Sequence, residues 1–582
     1  MTILFTYLLV FALAWPLGGY IARVFRGERT LTDALAPLER ALVRLIGANP
    51  DRGMTWQAYG RALLLSNIPL ALLAFLVYAF QAPLPLNPDR IGNMPWFVAL
   101  NTAASFITNT NWQNYSGQAQ LGYLAQMLGV TALQFITPAA GIAVLFAILR
   151  GLNGGVNADA PAGAPRDFGN YYVDVVRALT RVLLPASVVL ALLLTWQGVP
   201  STFSGAKTAA LLEPQTVTVN GAAQPVTTQT IPVGPVAAMV AIKQLGTNGG
   251  GWYGPNSAVP LENPTALSNV LEGAAILVLP VALVFATGAF LRRPKFGVMI
   301  LGVMTLLSAA LVALSVVAER APNPAFAGLA SGANLEGKEL RLGVDASAFW
   351  AAITTQTSNG SVNAMHDSLN PLTGAVPLAG LFLNDVYGGL GVGVINFLLF
   401  VLLTVFIAGL MVGRTPELFG RKIEAREIKL VSLALLLQPL LILGFTAVTL
   451  AMPAVTANSN PGFHGLSQVL YAYTSQFANN GSAFAGLGTA NSVWHNVTGA
   501  AVLILARYIP MLAPLAIAGS LARKRVAPHT LGTLRVDTPV FAGTLLSVML
   551  ILTLLNFLPA LMLGPVGEHV TARAGTFQGA PR

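Results

Sequence analysis

The chain has 582 residues, of which 54% are hydrophobic and only 9% charged, with a formal charge of +10 and a mean hydropathy of +0.66. A soluble protein carries roughly a quarter charged residues, so this composition excludes a soluble globular domain and points to a polytopic membrane protein, in which the basic excess bears on orientation; no arginine–aromatic patch suggests nucleic acid. There is no cysteine, which excludes disulfides, thiolate metal sites and cysteine nucleophiles.

The first predicted element is a span over 2–24. It lacks a basic leader, and its first positive charge, Arg23, follows the apolar run, so it reads as a retained helix and not a cleaved signal. Residues 26–52 are basic and amphipathic, as suits an interfacial helix on the inner leaflet. Spans follow at 62–82 and 123–149, enclosing a long loop that holds "WFVALNTAASFIT" and then "TNTNWQ". The next pair, 180–199 and 268–290, encloses "VAAMVAIKQLG" and "GTNGGGW". Spans at 296–317 and 392–413 enclose "AFWAAITTQT" and "TSNGSVN", and those at 429–451 and 493–520 enclose "LSQVLYAYTSQF" and "ANNGSAF". A tenth span covers 539–562. The four apolar pieces are too short to cross a bilayer and read as re-entrant or interfacial helices.

Twenty-three of the 32 basic residues fall at the ends and loops that lie inside if the N-terminus is outside. The positive-inside rule therefore puts both termini outside.

The four polar clusters form an internal repeat. Aligned on one asparagine, Asn109, Asn248, Asn359 and Asn480 fall in register, 139, 111 and 121 residues apart. Thr108, Thr247, Ser358 and Asn479 precede them, and Thr110, Gly249, Gly360 and Gly481 follow; Thr357 opens the third cluster. Spans two to nine then make four helix–loop–helix units, at 61–150, 179–291, 296–414 and 428–522. Segments 1–60 and 538–582 add one helix at each end. The expected fold is an all-α integral membrane protein with about ten transmembrane helices and four tandem repeats around a central pore. Irregular backbone at membrane depth is tolerated only when buried in protein or lining a watery cavity. Glycine lets carbonyls approach an axis closely, and a short helix aiming its C-terminus at the loop adds partial negative charge. Four such loops would form rings of oxygens that replace a monovalent cation's hydration shell. The clusters hold no carboxylate, which argues against a hard divalent ion.

The stretches "TNTNWQNYSGQ", "KQLGTNGGGWYGPNSAVPLENPT", "GSVNAMHDS", "GLMVGRTPELFGRKIEAREIKL" and "FANNGSAFAGL" resemble the potassium-binding A subunits of the bacterial Kdp potassium-transporting P-type ATPases, members of the superfamily of potassium transporters. The resemblance covers essentially the whole chain. It implies a subunit that binds extracytoplasmic potassium in a four-loop selectivity filter and delivers it to an ATP-hydrolysing B subunit, with C and F subunits as further partners, in the bacterial inner membrane. Carried over by position, the filter is Thr108 with Asn109 and Thr110, Thr247 with Asn248 and Gly249, Thr357 with Ser358, Asn359 and Gly360, and Asn479 with Asn480 and Gly481. Thr110 stands where the other clusters have glycine, so the rings are not strictly fourfold. No Asp-Lys-Thr-Gly-Thr phosphorylation signature occurs, and "GANLEGKE" at 332–339 lacks the Ser or Thr and the preceding strand of a phosphate loop, so ATP hydrolysis is not expected on this chain. The alternative within the superfamily is a stand-alone potassium channel or symporter. A carrier of small organic solutes would need a charged midplane pocket, and only Arg507 lies clearly within a span.

Arg507 either clamps structure or, as the resemblance favours, guards the inner side of the pore. Arg414, at the end of the seventh span, is either an inner-face anchor or a barrier. Gly389 and Gly391, in "YGGLGVGVINF", serve either close helix packing or a gate. His366 and Asp367 either attract cations or make a local turn contact.

Overall fold

The computed structural model describes residues 1–159, 161, 164–219, 222–326, 331–456, 458–487, 492–528 and 534–575; the end of the outer tail of the 538–582 segment lies outside them. Among the described residues ten helices are long and apolar enough to cross a membrane. They run over Thr2–Arg26, Trp56–Ala79, Tyr123–Leu152, Tyr171–Trp196, Ala266–Phe290, Pro294–Glu319, Val392–Met411, Ala425–Leu450, Val493–Leu521 and Pro539–Leu561. Each matches a predicted span. The second and fourth begin earlier than their hydropathy suggests, because polar and aromatic first turns (Thr55 capping Ala58 N, Asn170 capping Tyr172 and Val173 N) start the helix before its apolar stretch.

Burial separates the centre of the bundle from its periphery. The most apolar windows of the third and fifth spans are 83% buried, against 17% for the tenth, so the former are core walls and the latter turns most of its surface outward. The first span docks along the fifth through small residues. A Cβ on Gly18 would stand 2.5 Å from Phe285 Cβ and 2.6 Å from the Ala282 carbonyl, so only glycine permits this approach. Hydrophobic burial cannot drive association between helices already in lipid, and close packing of this kind is what remains.

The short apolar pieces are helices, at Trp96–Ile107, Val236–Leu245, Gly343–Gln356 and Gly462–Phe477. Two features lie outside the sequence reading. A two-stranded antiparallel sheet, Lys207–Val219 with Ala222–Ile231, stands in the loop between the fourth and fifth spans. A further helix, Pro371–Leu383, leads into the seventh span across the irregular segment 384–391. The 26–52 region, expected to be an amphipathic helix, holds one at Ala36–Leu45, whose Glu39 is ion-paired with Arg181 of the fourth span, tying it to the bundle.

Gly18→Val forces the first and fifth spans apart. An overpacked core costs about 1–3 kcal/mol, so the protein in detergent melts several degrees lower, whereas Gly19→Val, where an added Cβ meets nothing within 4 Å, leaves the melting temperature unchanged.

Candidate functional site

The four short helices converge with their C-termini on the four polar clusters, and backbone geometry fixes how the clusters correspond. In the second, Thr247 N bonds the Gln244 carbonyl and Asn248 N the Lys243 carbonyl. In the fourth, Asn479 N bonds Gln476 O and Asn480 N bonds Ser475 O. In the first, the same pair of bonds runs from Asn109 N to Phe106 O and from Thr110 N to Ser105 O. The left-handed positions agree: φ is positive at Asn109, Thr247, Ser358 and Asn479, and again at Asn111, Gly249, Gly360 and Gly481. The register drawn on Asn109 therefore slips by one residue. Thr110, not Asn109, matches Asn248, Asn359 and Asn480, and Asn111, not Thr110, stands in the glycine ring. Asparagine tolerates the left-handed region better than most residues, so nothing in the local sequence announced the offset.

Within this frame the loops hold one another. Asn359 Nδ2 donates to the Lys243 carbonyl at 3.0 Å, and Asn480 Nδ2 to the Thr354 carbonyl at 2.9 Å, so each of these loops grips the end of the preceding short helix. Asn248 Nδ2 donates instead to Asn109 Oδ1, at 2.6 Å. The seam between the fourth and first loops is closed differently, by Asn479 Nδ2 donating to Thr110 Oγ1 at 3.0 Å. Asn248, Asn359, Asn480 and Thr110 have no solvent exposure. A Cβ on Gly249 would overlap the Asn359 carbonyl oxygen, one on Gly360 the Asn480 oxygen, and one on Gly481 the Thr110 oxygen. The absent side chains are what let successive loops pass carbonyl to backbone. Thr108 and Thr357 hydroxyls turn back onto their own helices.

Above the ring lies a vestibule of about 640 Å³ that touches Asn111, Gly249, Gly360 and Gly481; below it lies a cavity of about 40 Å³ that touches Asn109, Ser358 and Asn479. The smaller cavity suffices for roughly two or three water-sized occupants. Its floor includes Arg507, Asn384 and Gly389. Arg507 is 5% exposed, and its Nη2 donates to the Thr137 carbonyl of the third span at 3.2 Å. Segment 384–391 is held under the second and third loops, with Leu390 N donating to Thr247 Oγ1 at 3.1 Å and Ser358 Oγ to Asn384 Oδ1 at 3.1 Å. Gly391 adopts φ +78° against the Gly141 carbonyl. Arg414 is exposed just after the C-terminal end of the seventh span and does not line this cavity.

Buried ion pairs brace the ring. Lys243, within the second short helix, pairs with Glu262 and donates to Asn256 Oδ1 at 2.6 Å; Asn256 Nδ2 in turn donates to the Gly249 carbonyl at 2.6 Å. Neither Lys243 nor Glu262 is exposed. Such a pair must be fully hydrogen-bonded to persist; the lysine inside "VAAMVAIKQLG" was the available signal for it, and the sequence reading passed it over. Asn111 Oδ1 accepts from Gln134 Nε2 at 2.7 Å, another support not foreseen.

At the larger cavity, burial and the neighbouring Lys338 push the His366 imidazole down to about 3; it stays neutral, bonded to the Tyr471 hydroxyl at 3.1 Å. Asp367 faces away from the vestibule. It accepts from His464 at 3.1 Å and from Gln468 at 3.0 Å, while the other His464 nitrogen meets Glu568, in a helix at Gly567–Arg573, at 2.9 Å. Burial works against the His464 charge, but hydrogen bonds to Asp367 and Glu568 outweigh it and push the imidazole up to about 10. Burial raises Asp367 too, and the bonds from His464 and Gln468 overcome it, leaving the carboxyl below its usual range.

A raised imidazolium contributes its full stabilisation below the ordinary histidine range and loses it as pH rises through about 10. A lowered carboxylate contributes above its ordinary range and loses it on acidification. His464→Ala thus lowers the melting temperature most at about pH 6 and much less at about pH 11; equal losses at both would show that packing, not charge, sets the contact.

The model of the potassium-transporting ATPase A subunit family matches residues 4–570. Among curated proteins, the chain is similar to the potassium-transporting ATPase potassium-binding subunits of Alicyclobacillus acidocaldarius (49% identity, 98% of this chain and 99% of the relative), Rhodospirillum centenum (47%, 99% and 98%) and Pseudomonas aeruginosa (47%, 98% of each). Among solved structures, the potassium transporter TrkH from Vibrio parahaemolyticus matches with a TM-score of 0.49 at 13% identity, over 77% of this chain and 83% of that one.

Proposed function

Because the chain belongs to the family of potassium-transporting ATPase A subunits, we propose that its four interlocked loops are a potassium selectivity filter. The protein is the potassium-binding subunit of an ATP-driven potassium transporter and not the ATP-hydrolysing one. The observation that supports the filter most is the ring itself: four carbonyl-lined turns without a carboxylate, between an outer vestibule and a small inner cavity. Carbonyl rings of this kind compensate a monovalent cation for its lost water. The filter residues are Thr108, Asn109, Thr110 and Asn111; Thr247, Asn248 and Gly249; Thr357, Ser358, Asn359 and Gly360; and Asn479, Asn480 and Gly481. The slipped first loop makes the rings pseudo-fourfold, with Asn111 at the outer end and the Thr110 hydroxyl already engaged by Asn479.

Below the filter, passage inward is opposed. A cation entering the lower cavity would come within roughly 5 Å of the Arg507 charge, which repels it by about 3 kcal/mol at an effective dielectric near 20. That is roughly two orders of magnitude in occupancy. Segment 384–391, with Gly389 and Gly391, narrows the way further, and Arg414 serves as an inner-face anchor. In this reading potassium leaves sideways to an ATP-hydrolysing B subunit, in a complex with C and F subunits in the bacterial inner membrane, both termini of this chain outside. The distribution of basic residues supports that orientation.

Gly360→Ala puts a methyl group onto the Asn480 carbonyl oxygen in a left-handed position. The assembled complex then requires at least tenfold more potassium for half-maximal ATPase activity and discriminates less against other monovalent ions; an unchanged ion dependence would refute the filter.

Arg507→Ala removes both the barrier and the bond to Thr137. The expected outcome is potassium flux in vesicles without ATP, at normal complex yield. Loss of assembly instead would make the residue a clamp, and tight coupling in a well-assembled variant would exclude the barrier.

A further inference from the structure

The inner face carries a feature that potassium handling does not use. Between the inner ends of the sixth and tenth spans lies a cavity of about 410 Å³ lined by Arg292, Arg293, Lys295 and Arg535, together with Glu417 and Asp537. It is continuous through Pro294, Lys295 and Asp537 with an apolar groove of about 560 Å³ between the same two helices, walled by Val298, Val303, Leu306, Ala542 and Leu546. Gly302 and Gly543 form open stretches of it, where an added Cβ would meet nothing within 4 Å.

The polar mouth carries four positive charges against two negative. Arg292 and Lys295 are exposed, and neither side chain has a hydrogen bond or ion pair among the described residues. Arg293 lies over the Phe419 ring at 4.3 Å, and Arg535 stands 3.4 Å from Asp537. The sixth span begins at Pro294, so its helix dipole adds to the positive field.

The depth of the groove selects its occupant. Along the sixth span it extends from Pro294 to Leu306, about 18 Å at 1.5 Å per residue. One leaflet of hydrocarbon is about 15 Å deep. The groove stops there although the helix continues to Glu319. A partner's transmembrane helix would need an apolar face along the whole span, whereas a lipid of one leaflet needs only this half. We propose that the cleft between the sixth and tenth spans is a binding site for an anionic phospholipid of the inner leaflet, its phosphate held by Arg292, Lys295 and Arg535 and an acyl chain lying along Gly302 and Gly543. The assignment to the inner leaflet rests on the orientation proposed above; the site itself does not.

Native mass spectrometry of the purified complex, titrated with phosphatidylglycerol, phosphatidylcholine or inorganic phosphate, tests this without reference to ion transport. The complex retains phosphatidylglycerol over phosphatidylcholine, and millimolar phosphate does not displace it. Arg292→Gln with Lys295→Gln weakens phosphatidylglycerol retention by about thirtyfold while phosphatidylcholine is unchanged. Gly302→Phe fills the groove and removes the lipid at unchanged subunit composition. Arg535→Gln is the charge variant to use should the double variant fail to assemble. Equal retention of both lipids by the native chain, displacement by phosphate alone, no loss in the charge variants, or release of a subunit instead of a lipid by Gly302→Phe would each overturn the assignment.

Discussion

Irregular backbone inside a membrane has no water to satisfy it, and the rest of this structure is organised around that constraint. Each of the four loops leaves the helical hydrogen-bond ladder at depth and must find partners among its neighbours. Asparagine amides supply them: Asn359 reaches the second short helix, Asn480 the third, and Asn248 the first loop. The loops' own backbone amides are met separately: those of Asn248, Asn359 and Asn480 donate to carbonyls of their short helices, and Ser361 N and Ser482 N to Asn359 Oδ1 and Asn480 Oδ1.

That requirement also accounts for buried charge where a membrane protein would otherwise avoid it. The Lys243–Glu262 pair is costly to desolvate, yet it orients Asn256, which holds the Gly249 carbonyl. A second fully buried pair, Lys338–Glu319, lies at the larger cavity; Glu319 also accepts from Asn334 and from Asn370 N. In both cases a buried charge pair holds backbone beside the loops or the cavity above them.

The spans, their number and the existence of four repeated clusters were legible because hydropathy and composition are carried by each segment alone. The offset in the first loop was not. "TNTN" sets a threonine between two asparagines, and seeing that the threonine, not either asparagine, takes the place of Asn248, Asn359 and Asn480 needs the bonds from Asn109 N and Thr110 N back to their helix. The helix Pro371–Leu383 was missed for a different reason: it is as apolar as a span but too short to be one, and the glycines after it masked its end. The outer sheet has alternating polar residues and little burial, a pattern that hydropathy reads as loop. The pairing of His464 with Asp367 and with Glu568 joins residues about a hundred positions apart, and no local pattern encodes it.

The seam between the fourth and first loops has a consequence for how the protein is made. Asn479 and Thr110 are separated by 369 positions, so the first loop waits, its hydroxyl without this donor, while most of the chain is synthesised and inserted. The ring is complete only once the last repeat has threaded into the bilayer. A chain that ends before the fourth repeat lacks Asn479 and so leaves the first loop's side of the ring open; one asparagine–threonine contact couples the first repeat to the last.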